Sequence, residues 1–160
     1  MSINGKQNLN SGNVSNNSNA TISFELACVV ATTANLTATY NNGTAGVGAT
    51  LTNSGALAAF SVDSQSPSAG ARILVKDQST QAQNGIYVLT TVGSGAVAWV
   101  LTRASDYDTT SEINSGDIIT VTSGAQNTGT LWRQTATVTT IGTDAITFAA
   151  FFLPSNYVQK

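Results

Sequence analysis

The chain has no histidine, one cysteine and only two prolines in 160 residues, and charged side chains make up 9% of it against a typical ~25%. Each shortage removes a class of function. Without imidazole there is no Ser-His or Cys-His nucleophile pair, no His-based zinc site and no side chain that ordinarily titrates near neutrality. Cys28 alone closes no internal disulfide and supplies no thiolate cluster. No run of 18 apolar residues marks a membrane span, and the Met1 end has neither a basic start nor the apolar stretch that directs secretion. The chain is therefore expected to be made in a cytoplasm, with no membrane partner. Its six basic residues, Lys6, Arg72, Lys76, Arg103, Arg133 and Lys160, are scattered among eight acids, for a formal charge of −2. They form no positive stripe for a phosphate backbone, so nucleic acid is not an expected partner.

What remains is a chain of hydroxyls, amides, small residues and alternating apolar positions. Ile22, Phe24, Leu26, Cys28 and Val30 alternate with polar or small neighbours such as Ser23 and Glu25, which predicts a strand over 22–30 with one apolar face. On that face Cys28 reads as a buried, inert thiol. Further strands are expected over 36–40, ending in the Asn41-Asn42-Gly43 turn, and over 57–62, 116–122, 130–138 and 146–153. A loop containing Pro67 fills 63–70. No stretch sustains a 3.6-residue apolar period. Strands recurring at intervals of about ten residues predict an all-β fold, an antiparallel sandwich or a barrel-like domain.

Residues 1–21 hold only four large apolar side chains, Met1, Ile3, Leu9 and Val14, among many Asn, Ser and Gly. Alone they cannot offset the entropy of being ordered. They are expected to form an extended arm that docks on a neighbouring subunit through Ile3, Leu9 and Val14, ahead of a β domain over 22–153 and a tail over 154–160. The run over 146–153 carries three of the five phenylalanines. A bulge at Ala149-Ala150 would turn Phe148 and Phe151 to one side and Phe152 to the other. One reading is a central core strand; the other gives Phe152, Leu153 and Tyr157 a contact with another subunit.

The segment 71–110 is the most informative. Asn84-Gly85 fits the two positive-φ positions of a tight hairpin turn. After it, Ile86, Val88, Thr90 and Val92 share one strand face while Tyr87, Leu89 and Thr91 share the other; Gly93-Ser94-Gly95 then turns the chain into a third strand, predicting a β-meander. Arg103, at the end of that strand, is expected to fork to Asp106 or Asp77 and lock the loop. These pieces, Ile73-Leu74-Val75-Lys76-Asp77-Gln78, Asn84-Gly85-Ile86-Tyr87, the strand from Trp99 to Ala104 and Asp106-Tyr107-Asp108-Thr109, resemble a β-rich module of tail-fibre and related virion structural proteins of tailed bacteriophages. The resemblance extends more loosely across 28–152. It implies a non-enzymatic virion protein without cofactor, a tail-fibre or baseplate-associated subunit that assembles with itself, commonly as a trimer in such fibres, and with other virion proteins. A capsid decoration protein and a glycan-binding adhesin are the alternatives.

Carboxylates are the chemistry left to examine. Asp106, Asp108 and Asp117 fall at spacings that suit oxygen ligation of a cation, with Thr110 and Asn114 between them. Ser111 stands where a calcium loop requires glycine, so these three acids are weak metal candidates and an ordinary acidic turn is the simpler reading. Acids crowded on one turn do not flank a sugar cleft as a glycosidase requires, and no enzyme is expected. Trp99 and Trp132 lie in alternating stretches and read as core, whereas Tyr107, in the acidic turn, is the candidate contact for a host glycan receptor.

Overall fold

The computed structural model describes residues 14–15 and 21–151. Ile3, Leu9, Phe152, Leu153 and Tyr157, expected at subunit contacts, lie outside the described residues, and of Val14 only the backbone is described. The strands are β1 (Val14–Ser15), β2 (Thr21–Ile22), β3 (Val30–Ala31), β4 (Ala38–Asn41), β5 (Thr50–Asn53), β6 (Arg72–Val75), β7 (Gly85–Thr91), β8 (Val100–Arg103), β9 (Ile118–Thr120), β10 (Leu131–Gln134) and β11 (Phe148–Ala150). A 3-10 turn, Gln81–Gln83, lies between β6 and β7. The fold is all-β, with a six-stranded sheet in the order β3-β6-β7-β8-β5-β4, a three-stranded sheet β11-β10-β9 and the β1-β2 pair. Among the described residues no helix is long and apolar enough to cross a membrane.

The expected meander is the centre of the larger sheet: β6, β7 and β8 pair antiparallel in sequence order. Alternation along β7 divides its side chains between two cores. Ile86, with Val88 against it, joins Leu74, Tyr107, Ile119 and Ile146 on one face, while Tyr87 and Leu89 join Ile73, Leu51, Leu101 and Phe60 on the other. The second core is capped by the irregular stretch 54–71, where a strand over 57–62 was expected. Leu57 is exposed there, and Phe60 plugs the core with its ring 5.1 Å from that of Trp99, edge to face.

The sheet is not purely antiparallel. β3 pairs with β6 in parallel, and Phe24 and Cys28 make parallel bridges to Ile118 and Val121. The segment expected as one strand over 22–30 instead lies between the two sheets and changes partner within a single residue step. The Cys28 N–H donates to Thr120 O at 2.9 Å, toward β9, and the Val29 N–H to Arg72 O at 2.8 Å, toward β6. A bend at Val29 accompanies the change and breaks the two-residue alternation. Cys28 enters one core and Val30 the other, while Phe24 and Leu26 face outward at 61% and 67% exposure. Parallel neighbours need a long crossover, and the separation of this segment from 72–75 and 118–121 supplies it.

A strand and a turn also differ from expectation. β11 is an edge strand rather than a central one, and it pairs with β10 in unbroken register, so no bulge occurs at Ala149-Ala150. Asn84-Gly85 is not a two-residue hairpin turn, for β6 and β7 are joined by the whole of 76–84. Asn84 is extended and buried, its Oδ1 accepting the Gln78 N–H at 2.9 Å and its Nδ2 donating to Ile146 O at 2.9 Å. It organises the loop from within. Gly85 has φ 147°, and a Cβ there would overlap Arg103 Nη1. Gly85→Ala should therefore destabilise the fold by about 1–3 kcal/mol, measured by chemical denaturation, whereas Gly95→Ala, in open space, should leave the midpoint unchanged.

Candidate functional site

The most unusual chemistry surrounds Arg103, the last residue of β8. It is 3% exposed and, among the described residues, has no carboxylate partner. Its Nη1 donates to Asn84 O at 3.1 Å and its Nη2 to Tyr87 Oη at 2.9 Å and Tyr40 Oη at 3.5 Å. The guanidinium also lies 4.9 Å from the centroid of the Tyr87 ring. The Tyr87 hydroxyl donates a hydrogen bond to Gln83 O at 2.6 Å, and the Tyr40 hydroxyl donates to Asn42 Oδ1 at 2.6 Å. Burial raises the Tyr87 phenol above its ordinary value despite the nearby cation, so the oxygen remains a neutral acceptor.

This corrects the expected pairing of Arg103 with Asp106 or Asp77. Asp106 bonds Arg72 Nη1 at 2.8 Å, and Asp77 bonds Lys76 Nζ at 2.9 Å and the Thr32 hydroxyl at 2.7 Å. The reason is register. Tyr87 is the direct cross-strand neighbour of Arg103, so their side chains share a face, while the acids lie beyond the strand ends. Tyr87→Phe should cost roughly 1–3 kcal/mol of stability by leaving Arg103 Nη2 only the long bond to Tyr40 Oη; calorimetry on Tyr87→Phe beside Asp106→Asn should show the larger loss in the tyrosine variant.

The acids of the turn have separate partners. Asp106 bonds Arg72, and Asp117, just before β9, is buried. Asp108 lies beside Glu112, whose carboxylate accepts the N–H groups of Asp108 and Thr109 at 3.1 and 3.0 Å. Burial and the neighbouring Glu112 raise Asp108; Glu112, though burial pushes it up, is drawn below its usual value by those bonds. Among the described residues no three His, Cys, Asp or Glu side chains are placed to hold a metal. Nor is Tyr107 a receptor contact, because its side chain is fully buried in the core with Ile113 and Ile119. Acidic neighbours made that turn look solvated, but its Tyr107 N–H bonds back to Ala104 O and folds the ring inward. Cys28 is buried, as expected, and desolvation pushes its thiol up to about 12.

One site was missed. Asp63 accepts the N–H groups of Gln126 and Asn127 and the Asn127 amide, at 2.9, 2.9 and 3.0 Å, and thereby pins the β9-β10 loop. That loop borders a cleft of 290 Å³ lined by Thr33, Lys76, Gln126, Asn127, Thr130 and Trp132, among others. Trp132 is half-buried there, with Lys76 Nζ 4.2 Å from its ring centroid and its own Nε1 donating to the Thr130 hydroxyl at 3.0 Å. Comparison with protein-family models, curated proteins and solved structures found no match to this chain.

Proposed function

We propose that the chain is a non-enzymatic structural subunit of a tailed-phage virion, tail-fibre or baseplate-associated, that assembles with itself and with neighbouring virion proteins. The observation that carries this reading is the pair Phe24 and Leu26, 61% and 67% exposed just after the β1-β2 pair. Large apolar side chains side by side on a surface with so little charge favour association unless protein covers them. The arm expected from 1–21 enters the domain at the same place, so arm and apolar pair together offer one assembly surface. The acids and the buried arginine support the reading, since their contacts hold loops and strands in place. We read the two sheets as the layers of a sandwich, a rigid body suited to such a scaffold. A capsid decoration protein would use the same surface as a clamp. Antibody-gold labelling of purified particles should place the protein on the tail; labelling on the head would favour decoration, and its absence from particles would remove the virion reading.

The cleft beside Trp132 favours a second reading, a glycan-binding adhesin. Hydroxyl and amide side chains around a fixed indole suit a neutral sugar, because Lys76 is already balanced by Asp77. Titration with neutral monosaccharides at millimolar concentration should shift the Trp132 indole N–H resonance in NMR spectra. An unmoved resonance would discard the adhesin.

A further inference from the structure

The three-stranded sheet has one edge closed and one open. Residues 23–28 cover β9: the Ile118 N–H donates to Ser23 O at 2.7 Å, the Glu25 N–H to Ile118 O at 2.9 Å and the Cys28 N–H to Thr120 O at 2.9 Å. On the far side, among the described residues, β11 has β10 as its one strand neighbour. The bonds at its ends fix which groups face outward. The Thr135 N–H reaches Thr147 O at 2.9 Å and the Phe151 N–H reaches Leu131 O at 2.8 Å, so the odd-numbered residues of this stretch turn their N–H and C=O groups to β10. The even-numbered residues turn theirs away. Of these, Ile146 is answered by the 76–84 loop, its N–H donating to Gln81 O at 3.1 Å and its carbonyl accepting from Asn84 Nδ2 at 2.9 Å. Phe148 and Ala150 follow, and their outward groups have no hydrogen bond among the described residues.

Exposed edges are usually kept from pairing by a lysine, a proline or a bulge. This one has none of them: β11 keeps an unbroken register, and residues 145–153 contain no charged side chain and no proline. Ala149 and Ala150 are exposed and Phe148 is half-buried. A short neutral run of this kind, rich in β-formers, meets its own copy without repulsion. We propose that β11 is a self-pairing edge, through which two copies of the chain join antiparallel about a twofold axis at Ala149 and merge their three-stranded sheets into one.

The free groups select the register. An axis at Phe148 would call on Ile146, whose N–H and carbonyl are already bonded. An axis at Ala149 sets Phe148 of each copy opposite Ala150 of the other, and the two exchange N–H···O=C bonds. Large then meets small on the face that Phe148 and Ala150 share with their cross-strand neighbours Gln134 and Trp132. On the opposite face Ala149 meets Ala149, with Arg133 beside each. The two Arg133 strands are three strand spacings apart, about 14 Å, beyond the ~8 Å screening length at physiological salt. The other sheet offers a poorer mate, because β4 is closed at both ends: Gln78 Oε1 takes the Leu36 N–H at 2.6 Å and the Gly46 N–H takes the Asn42 carbonyl at 2.9 Å. The β11 surface lies across the three-stranded sheet from Phe24 and Leu26, so its failure would leave the particle labelling that tests the virion reading undisturbed.

Sedimentation of the full chain from micromolar to millimolar protein should show a monomer–dimer equilibrium, and amide exchange read by NMR should locate it. The Phe148 and Ala150 amides should exchange more slowly as the dimer fraction rises, while the Ala149 amide, bonded within the ladder, stays constant. Ala149→Lys sets like charges face to face on the axis and should abolish the dimer while leaving a folded monomer. Ala149→Cys brings two thiols to a Cα separation of about 4.5 Å, within disulfide range. Under mild oxidation it should cross-link much faster than Ala96→Cys, in the exposed 93–97 turn, with the buried Cys28 of the wild type as the blank. A chain that stays monomeric, that grows beyond a dimer, or that dimerises without slowing the Phe148 and Ala150 amides overturns the proposal. So does protection of those amides that is equal at every dilution, which would place a segment of the same chain on the edge. A dimer that survives Ala149→Lys, or cross-linking no faster at 149 than at 96, overturns it as well.

Discussion

A guanidinium taken out of water needs its donors answered, and in this protein Nη1 and Nη2 are answered by a backbone carbonyl and phenol oxygens instead of an acid, while Nε is buried with no hydrogen-bond partner among the described residues. That choice spreads the constraint. A carboxylate would have closed a local pair at the end of β8, whereas the groups on Arg103 reach β7 through Tyr87, the 76–84 loop through the Asn84 carbonyl, and the far edge strand β4 through Tyr40. From Tyr40 the chain of bonds continues through Asn42 to Ile141 O. Gly85 completes the arrangement by leaving room for the guanidinium. Neutral acceptors also avoid a buried ion pair, whose desolvation commonly consumes its Coulombic gain.

The scarcity of charge on this chain is greater at its surface than in its composition. Of the described basic residues, Arg103 is buried, Arg72 is spent on Asp106, and Lys76 lies between Asp77 and the Trp132 ring, leaving Arg133 as the exposed cation. Several acids are likewise turned to internal tasks: Asp63 and Glu112 gather backbone N–H groups, and Asp144 does the same for Thr139 and Thr140. Charge works here as a fastening for loops.

Alternation made the centre of the fold legible in the sequence. From Ile86 to Leu89 the residues of β7 keep a two-residue period and both faces find a core where the pattern places them; a register shift between Leu89 and Thr91 then breaks it, and Val92 packs on the Tyr87 core. The reading failed where one residue changes sheet. The bend at Val29 separates Cys28 from Val30, and no local pattern announces that a strand is about to change neighbours. Tyr107 was misplaced because turn composition reports the company of a residue and not the direction of its side chain. Asp63 carries no sequence signal at all, since its partners lie more than sixty positions away. The Tyr87–Arg103 pair was within reach: once the meander is aligned, its register sets the two side by side.

The segment shared by the two sheets has a consequence for when the fold can be completed. Cys28 meets its partner Thr122 94 positions later, and the parallel contacts of residues 24 and 28 form only after β9 exists. A chain made from its N-terminus must hold this segment uncommitted while the meander, whose contacts are local, assembles first. The strand that comes early in sequence thus waits for partners that come late in it.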